Sequence, residues 1–292
     1  MPSAVEFVNV FTCQGQGGNP CRIVLDAGAM APAAMQAAAR RFGHEAGFVL
    51  PARTRDFAFT FRFFVPNHEM EMCGHATIGA LWALARRGLL PGPSVRIDTL
   101  SGPVTGYVGA GPDGGPTVAI TQPAGTVVPL TGPDTAAVLR ALGIGPEALA
   151  PRPLLNAVTS RVKTLVPIQD PARLNALVSD PDAVAGVCDR IGSTGLYPYA
   201  PLDQAGRSFE ARQFPRASGY PEDPATGIAA AALAFGLLHA GLIAPDDRPV
   251  RVFQGRAMGR LSELQVRIGF ADGRPVGCLL AGTVTPDTRP DP

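Results

Sequence analysis

Two glycine-containing turns lead into apolar stretches rich in alanine and leucine: EMCGHATIG at residues 71–79 and EDPATGIAA at residues 222–230. The start of a helix presents unpaired backbone N–H groups and a partial positive charge, and a glycine there lets a ligand approach the backbone closely. Two such helix starts can hold a carboxylate group without lysine or arginine. The alternative is that Gly74 and Gly227 only permit tight turns into core helices.

Glu45, in the segment GHEAGFVL, is the candidate general acid/base. A carboxyl group in apolar surroundings exchanges a proton near neutral pH more readily than one in water, and Phe48 follows three residues later. The alternative is an ordinary solvated glutamate at the junction of a loop and a strand. The position in the sequence leaves both interpretations open.

Three further residues lie in the two turns. His75 can relay a proton or orient a substrate, although a helix-start histidine can also be satisfied by the backbone. Asp223 precedes a proline, which disfavours the α conformation at Asp223. Asp223 either contacts the substrate together with His75 or Glu45, or favours the helix start electrostatically. A helix start also favours a thiolate at Cys73, but the second turn has no cysteine.

Other motifs that carry chemistry are missing from the sequence. Neither an H-E-x-x-H or H-x-x-E-H motif nor a Cys/His cluster occurs, so we expect no metal site. The sequence contains no Walker-type phosphate loop and no G-x-S-x-G, and GQGG at residues 15–18 lacks the spacing of a dinucleotide fingerprint. Nucleotide-dependent and serine-hydrolase functions are therefore disfavoured.

The composition indicates a globular protein. The chain has 292 residues, 46% of them hydrophobic, and a formal net charge of +1 with scattered basic residues, which is not the footprint of a nucleic-acid binder. No apolar run is long enough to span a membrane, and no secretory leader precedes the first strand, so we expect a cytoplasmic protein. Five dispersed cysteines without a C-x-x-C pair argue against a disulfide framework.

The elements that must position the candidate residues occur in the same order twice. Each half reads as strand, helix, strand, glycine turn and apolar helix, and a shift of 153 residues aligns GHATIGALWALARRGLL (residues 74–90) with GIAAAALAFGLLHAGLI (residues 227–243). The expected helices are 33–42, 76–87, 136–143, 172–178, 181–190 and 228–240; the expected strands include 5–11, 22–25, 47–50, 57–64, 161–167 and 208–214. We predict a duplicated chain with domains at residues 1–120 and 121–292, of which the final strand can return to the first domain.

These motifs resemble those of the phenazine-biosynthesis PhzF-like proteins, which are related to diaminopimelate epimerase. The matching stretches follow the family's order along nearly the whole chain, and CGHAT together with EDPATG is a specific pair. They are VFTCQGQGGNPCRIVL at 10–25, HEAGFVL at 44–50, FRFFVPNHEMEMCGHATIGA at 61–80 and RQFPRASGYPEDPATGIAAAAL at 212–233.

The resemblance implies an α+β fold of two pseudo-symmetric domains, each an antiparallel, barrel-like sheet around a central helix, with the active site in the cleft. It also implies a homodimer that needs no cofactor or metal and acts on a small carboxylate-bearing substrate. The positions that match the family's catalytic residues are Glu45, as the proton carrier, and His75 and Asp223, as assistants. The expected substrate-binding residues are Asn19, Cys73, Gly74, Thr226, Gly227 and Ile228.

Two departures from the family pattern bear on the substrate. The family usually reads DPATGS, whereas this chain has Ile228 at the serine position, and it usually reads S-E-T where this chain has His44, Glu45 and Ala46. The resemblance therefore leaves the identity of the substrate open. A cofactor-independent isomerase is the leading hypothesis, and an epimerase or racemase and a non-catalytic binding protein that keeps the cleft are the alternatives.

Overall fold

The computed structural model describes residues 5–111, 114–203 and 206–287, which form two compact units. The first unit comprises Met1–Thr121 with Ala281–Pro292, and the second comprises Gln122–Leu280. Among the described residues, no helix has both the length and the apolar character that crossing a bilayer requires.

The described part of the first unit contains two α-helices and a sheet of mostly antiparallel strands. Its elements are β1 (Val5–Thr12), β2 (Asn19–Val24), α1 (Pro32–Phe42), β3 (Ala46–Pro51), β4 (Phe59–Phe64), β5 (Glu69–Met70), α2 (Gly74–Arg86), β6 (Ser94–Thr99), β7 (Gly102–Ala110), β8 (Pro116–Pro123) and β18 (Thr283–Pro286).

The described part of the second unit contains four α-helices and a similar sheet. Its elements are β9 (Thr126–Pro129), α3 (Gly132–Ala141), β10 (Leu155–Val158), β11 (Val162–Pro167), α4 (Pro171–Asn175), α5 (Pro181–Ile191), β12 (Gly195–Pro201), β13 (Ser208–Ala211), β14 (Phe214–Pro215), α6 (Gly227–His239), β15 (Val250–Gln254), β16 (Ser262–Ala271) and β17 (Arg274–Ala281).

The two sheets have the same topology. In the first unit β1–β2, β3–β4 and β6–β7 pair antiparallel, whereas β2–β3 and β4–β6 pair parallel. In the second unit β10–β11, β12–β13 and β15–β16 pair antiparallel, whereas β11–β12 and β13–β15 pair parallel. The parallel pairs are those joined by a helical crossover, as such pairs require. Each unit therefore repeats the same arrangement.

Each unit has one central apolar helix. Helix α2 contacts β1, β2, β3 and β7, and its residues from Gly74 to Leu84 are all buried. Helix α6 is as long as α2, begins 153 residues later, and buries nearly every side chain against β9, β10, β11 and β16. A helix that is apolar on all sides belongs in a core. The predicted fold class is confirmed, with two parallel strand pairs in each unit that the sequence pattern did not indicate.

Several predicted boundaries are wrong by a few residues. The strand predicted over residues 57–64 begins at Phe59; Phe57 lies outside it, with the guanidinium of Arg96 over its ring. The strand predicted over residues 208–214 is divided into β13 and β14. The helix predicted over residues 172–178 ends at Asn175, whose side-chain amide donates to a backbone carbonyl in the same helix.

Candidate active site

Glu45 lies in the first unit, between the end of α1 and the start of β3. Gly43 ends α1 with a φ of 69°, a conformation that glycine adopts without strain, and the chain then turns into β3. Glu45 is only 8% exposed. The thiol of Cys21 in β2 lies 3.6 Å from its backbone carbonyl oxygen, which accepts from it. Glu45 is therefore a buried residue rather than a solvated one.

His75 lies in the first turn of α2 and is buried. Its Nδ1 is 3.3 Å from Sγ of Cys73, the residue that precedes the helix. Burial lowers the pKa of His75 below 6.5, against the smaller raising effect of the Glu45 charge and with a further lowering by His44. The neutral imidazole is thus favoured near pH 7, and it can both donate and accept a hydrogen bond.

The buried imidazole leads to a prediction about stability. Because the folded-state pKa of His75 lies below the ordinary value of 6.5, the unfolded chain takes up this proton first. The part of the unfolding free energy that comes from burying the neutral His75 is fully present above about pH 6.5. It is lost as the pH falls towards the folded-state pKa of His75. We expect His75→Gln to flatten the decline of the unfolding free energy below pH 6.5, measured by urea denaturation at several pH values.

The matched control is His68→Gln, since His68 is exposed in the loop between β4 and β5. This variant should keep the wild-type dependence on pH. An equal slope for wild type and His75→Gln between pH 5 and pH 6.5 would show that the His75 imidazole is not held neutral by burial.

The start of α2 keeps its backbone donors available. Cys73, in an extended conformation, precedes the helix without capping it through its side chain. The backbone N–H groups of Gly74 and His75 donate no hydrogen bond within the described part of the chain. Asn19, the remaining predicted binding residue of this unit, is the buried first residue of β2 and lies opposite Val10 of β1.

Asp223 lies in the second unit, in the turn before α6. It is 9% exposed, and its carboxylate accepts a hydrogen bond from the Thr226 hydroxyl. Its backbone carbonyl accepts from Nε2 of Gln254 at 2.7 Å, and Oε1 of the same glutamine accepts from the backbone N–H of Thr226 at 3.2 Å. The phenol of Tyr197 donates to that Oε1 at 2.9 Å. A buried polar network therefore fixes the turn that carries Asp223.

Helix α6 also begins without a side-chain cap. Thr226 occupies the capping position, but its hydroxyl is directed to Asp223 instead of to the helix. Within the described residues, the backbone N–H groups of Gly227 and Ile228 have no hydrogen-bond acceptor. The half-buried Ile228 side chain adds no polar group. The backbone of this helix start can therefore accept an anionic oxygen.

The structure adds residues to these sites that the sequence did not indicate. Gln254 and Tyr197 hold the Asp223 turn, and Lys163 and Gln213 are buried polar residues of the same unit. One signal was available: Lys163 is the only lysine in the sequence. In the ranges that the structure describes, no group of three or more histidine, cysteine, aspartate or glutamate residues is arranged to hold a metal ion.

Comparison with known proteins places the chain among similar sequences and structures. The family model for phenazine biosynthesis-like protein, PhzC-PhzF, matches residues 8–286. The uncharacterized isomerase YddE of Escherichia coli O157:H7 is 30% identical over 286 residues, which cover 97% of this chain and 95% of YddE. The trans-2,3-dihydro-3-hydroxyanthranilate isomerase of Pseudomonas fluorescens is 30% identical over 268 residues, which cover 91% of this chain and 90% of that protein.

A solved structure agrees with this placement. The crystal structure of the phenazine biosynthesis protein of the PhzF family from Bacillus anthracis matches with a TM-score of 0.85 and 25% identity. The match covers 97% of this chain and 96% of that one.

Proposed function

This chain belongs to the PhzC-PhzF family of phenazine biosynthesis-like proteins, and we propose that it is a cofactor-independent isomerase that moves a proton between carbon atoms of a small carboxylate-bearing substrate. The observation that carries the proposal is the burial of Glu45, the expected proton carrier, at a position from which its charge acts on the buried His75. The named isomerases among the relatives support the reaction class.

The proposed reaction needs only proton transfer. The Glu45 carboxylate takes a proton from one carbon, the electrons of that C–H bond form a new double bond, and the original double bond opens towards a second carbon. The Glu45 carboxylic acid then returns the proton to the second carbon, so the composition of the substrate is unchanged. In the first unit, the neutral His75 orients a polar group of the substrate and the helix start at Gly74 receives an anionic oxygen. In the second unit, the Asp223 carboxylate and the helix start at Gly227 offer the same two functions.

The residue at position 228 bears on the choice of substrate. The resemblance expects a serine there, whose hydroxyl can donate a hydrogen bond, and Ile228 replaces it with an apolar side chain. A substrate that depends on that hydroxyl should bind less well here, since a buried polar group without a partner costs binding free energy. We therefore expect a substrate that presents an apolar surface at this point, rather than the compound named for the Pseudomonas fluorescens relative.

Proton NMR in D₂O tests the proposal. Small cyclic carboxylates and amino acids, with trans-2,3-dihydro-3-hydroxyanthranilate among them, are first screened for binding by thermal shift and then incubated with the protein. We expect at least one binder to gain deuterium at carbon with movement of a double bond. Deuterium at a stereocentre with inversion would instead identify an epimerase. If no bound compound exchanged a carbon-bound proton, the protein would be a binding protein and the proposal would fail.

A further inference from the structure

Lys163 is unusual for this chain in both type and position. It is the only lysine among 25 basic residues, and the other 24 are arginines. It lies in β11 and is only 4% exposed. Lysine differs from arginine in that its ammonium group is compact and loses its proton readily when buried. The chain therefore places its single amine side chain inside the second unit.

The buried arginines are paired, whereas Lys163 is not. Arg22 forms an ion pair with Asp287, and Arg212 forms one with Glu222. Within the described residues, the Lys163 ammonium makes neither a hydrogen bond nor an ion pair within 4.0 Å. An unpaired buried charge is costly, so a lysine in this state loses its proton, binds ordered water or receives an anionic partner from outside the chain.

The side chain of Lys163 lies on the face of the sheet that packs against α6, not on the face that packs against α3 and α5. Side chains alternate between the two faces of a strand. Val166 belongs to the core beneath α3 and α5, whereas Leu165 packs against α6, where a Cβ on Gly236 would come within 2.2 Å of it. Lys163 shares its face with Leu165. The backbone bond from Thr194 to Val162 and the pairing of Thr164 with Leu196 set Gly195 beside Lys163.

A second buried polar side chain lies on the same face of the sheet. Gln213 is 1% exposed, and neither its Nε2 nor its Oε1 has a hydrogen-bond partner in the part of the chain that the structure describes. A Cβ on Gly195 would lie 2.1 Å from Nε2, so this amide covers Gly195 on the face that carries Lys163. The backbone carbonyl of Gln213 accepts from the N–H of Asp223 at 3.0 Å. A buried amide that lacks partners is expected to bind a ligand or ordered water.

We propose that the Lys163 ammonium, the Gln213 amide and the first turn of α6 form the binding site for the carboxylate group of the substrate. The inference rests on the proposed function for the nature of the substrate. The backbone N–H groups of Gly227 and Ile228 add two unused donors and the positive end of the α6 dipole. Lys163 is thus a recognition residue for the anion.

The charged groups around Lys163 agree with this role. Burial lowers its pKa from 10.5 to about 8, and this outweighs the raising effect of Asp223; Arg161 lowers the pKa further and Cys188 raises it slightly. At pH 7 most molecules therefore carry the ammonium, but the charge is poorly stabilised. A bound anion stabilises the ammonium and must raise the pKa of Lys163.

The single lysine allows a direct test. Protein grown with ¹³C-labelled lysine gives one ¹³Cε resonance, whose shift is followed from pH 6 to pH 11 with acetate, with its neutral isostere acetamide, or with chloride at equal ionic strength. We expect acetate alone to raise the Lys163 pKa, by about one unit at ten times its Kd. Gln213→Leu should weaken this acetate effect. The same midpoint in all three solutions up to 200 mM would overturn the proposal.

Thermal stability measurements distinguish a Lys163 that binds a ligand from a Lys163 that only stabilises the fold. If Lys163 is a poorly stabilised charge awaiting a ligand, Lys163→Met should keep or raise the thermal midpoint at pH 7 and abolish the stabilisation by acetate over acetamide. The control Arg152→Met, at an exposed position, should leave that stabilisation unchanged. A large fall in the thermal midpoint of Lys163→Met would show that the lysine is a structural counter-ion and would overturn the inference.

The test does not depend on turnover. In the Glu45→Gln protein the acetate effect on Lys163 should persist while carbon-bound exchange is lost. If no carboxylate exchanged deuterium but acetate still raised the Lys163 pKa, the proposed reaction would fail and the anion site would stand. If a carboxylate exchanged deuterium but acetate left the Lys163 pKa unchanged, the anion site would be overturned and the proposed reaction would stand.

Discussion

Glu45→Gln is expected to leave a folded protein whose carbon-bound deuterium exchange is slower by about 10²–10⁴-fold, the usual contribution of a positioned general acid/base. The amide has nearly the same shape as the carboxyl group, so the packing around a residue that is 8% exposed changes little. It cannot accept the proton, however. The measurement is the initial rate of deuterium incorporation, by proton NMR, for the compound found in the D₂O screen.

The control for this variant is Glu71→Gln, which makes the same chemical change at an exposed residue close to the turn before α2. Its exchange rate should stay within about twofold of wild type, because surface substitutions away from a site have small effects. Thermal midpoints of both variants should match wild type. Near-full exchange by a folded Glu45→Gln protein would remove Glu45 from the role of proton carrier.

The helices that carry the sites were predictable because their sequence signals are local. Helix α1 begins at Pro32 and ends directly before Gly43, and the glycines at 74 and 227 are the first residues of α2 and α6. The predicted starts of the two apolar helices were late by two residues and one residue, since a first turn has no periodicity of its own. The sequence pattern does not predict the strands β9, β10, β12 and β15–β18, and most of them are short or interrupted by glycine and proline.

The internal duplication can be recognised in the sequence because each half must bury one helix inside a barrel-like sheet. A barrel-like sheet needs a central helix without a polar face, so both α2 and α6 contain alanine, leucine and glycine at a constant offset of 153 residues. The parallel pairs β2–β3 and β11–β12 were not predicted. Strand direction depends on which neighbour each strand meets, and a single sequence does not encode that locally.

Some of the site residues can be predicted from local sequence and others cannot. Glu45, His75 and Asp223 lie in contiguous motifs and were identified through the family resemblance. Lys163 and Gln213 are 50 residues apart, and the pairing of β11 with β12 places both beside Gly195. No sequence spacing predicts that arrangement.

A buried ion pair holds the segment in front of Asp223. The Arg212 guanidinium donates two hydrogen bonds to the carboxylate of Glu222, at 2.9 Å and 2.7 Å, and both side chains are about nine-tenths buried. Its remaining amino group, Nη1, donates to the backbone carbonyls of Leu174, Asn175 and Leu177 at the end of α4. One side chain thus joins α4 to the residue directly before Asp223.

Arg212→Met is therefore expected to lower the free energy of unfolding by about 3–5 kcal/mol, because it leaves the Glu222 charge and three carbonyl groups buried without their partner. Urea denaturation at pH 7 measures this change. The control is Arg216→Met, which breaks an exposed pair with Asp189 and should cost less than about 1 kcal/mol. Equal losses in the two variants would mean that burial adds nothing to the Arg212 pair, and that the turn carrying Asp223 is fixed by the Gln254 network instead.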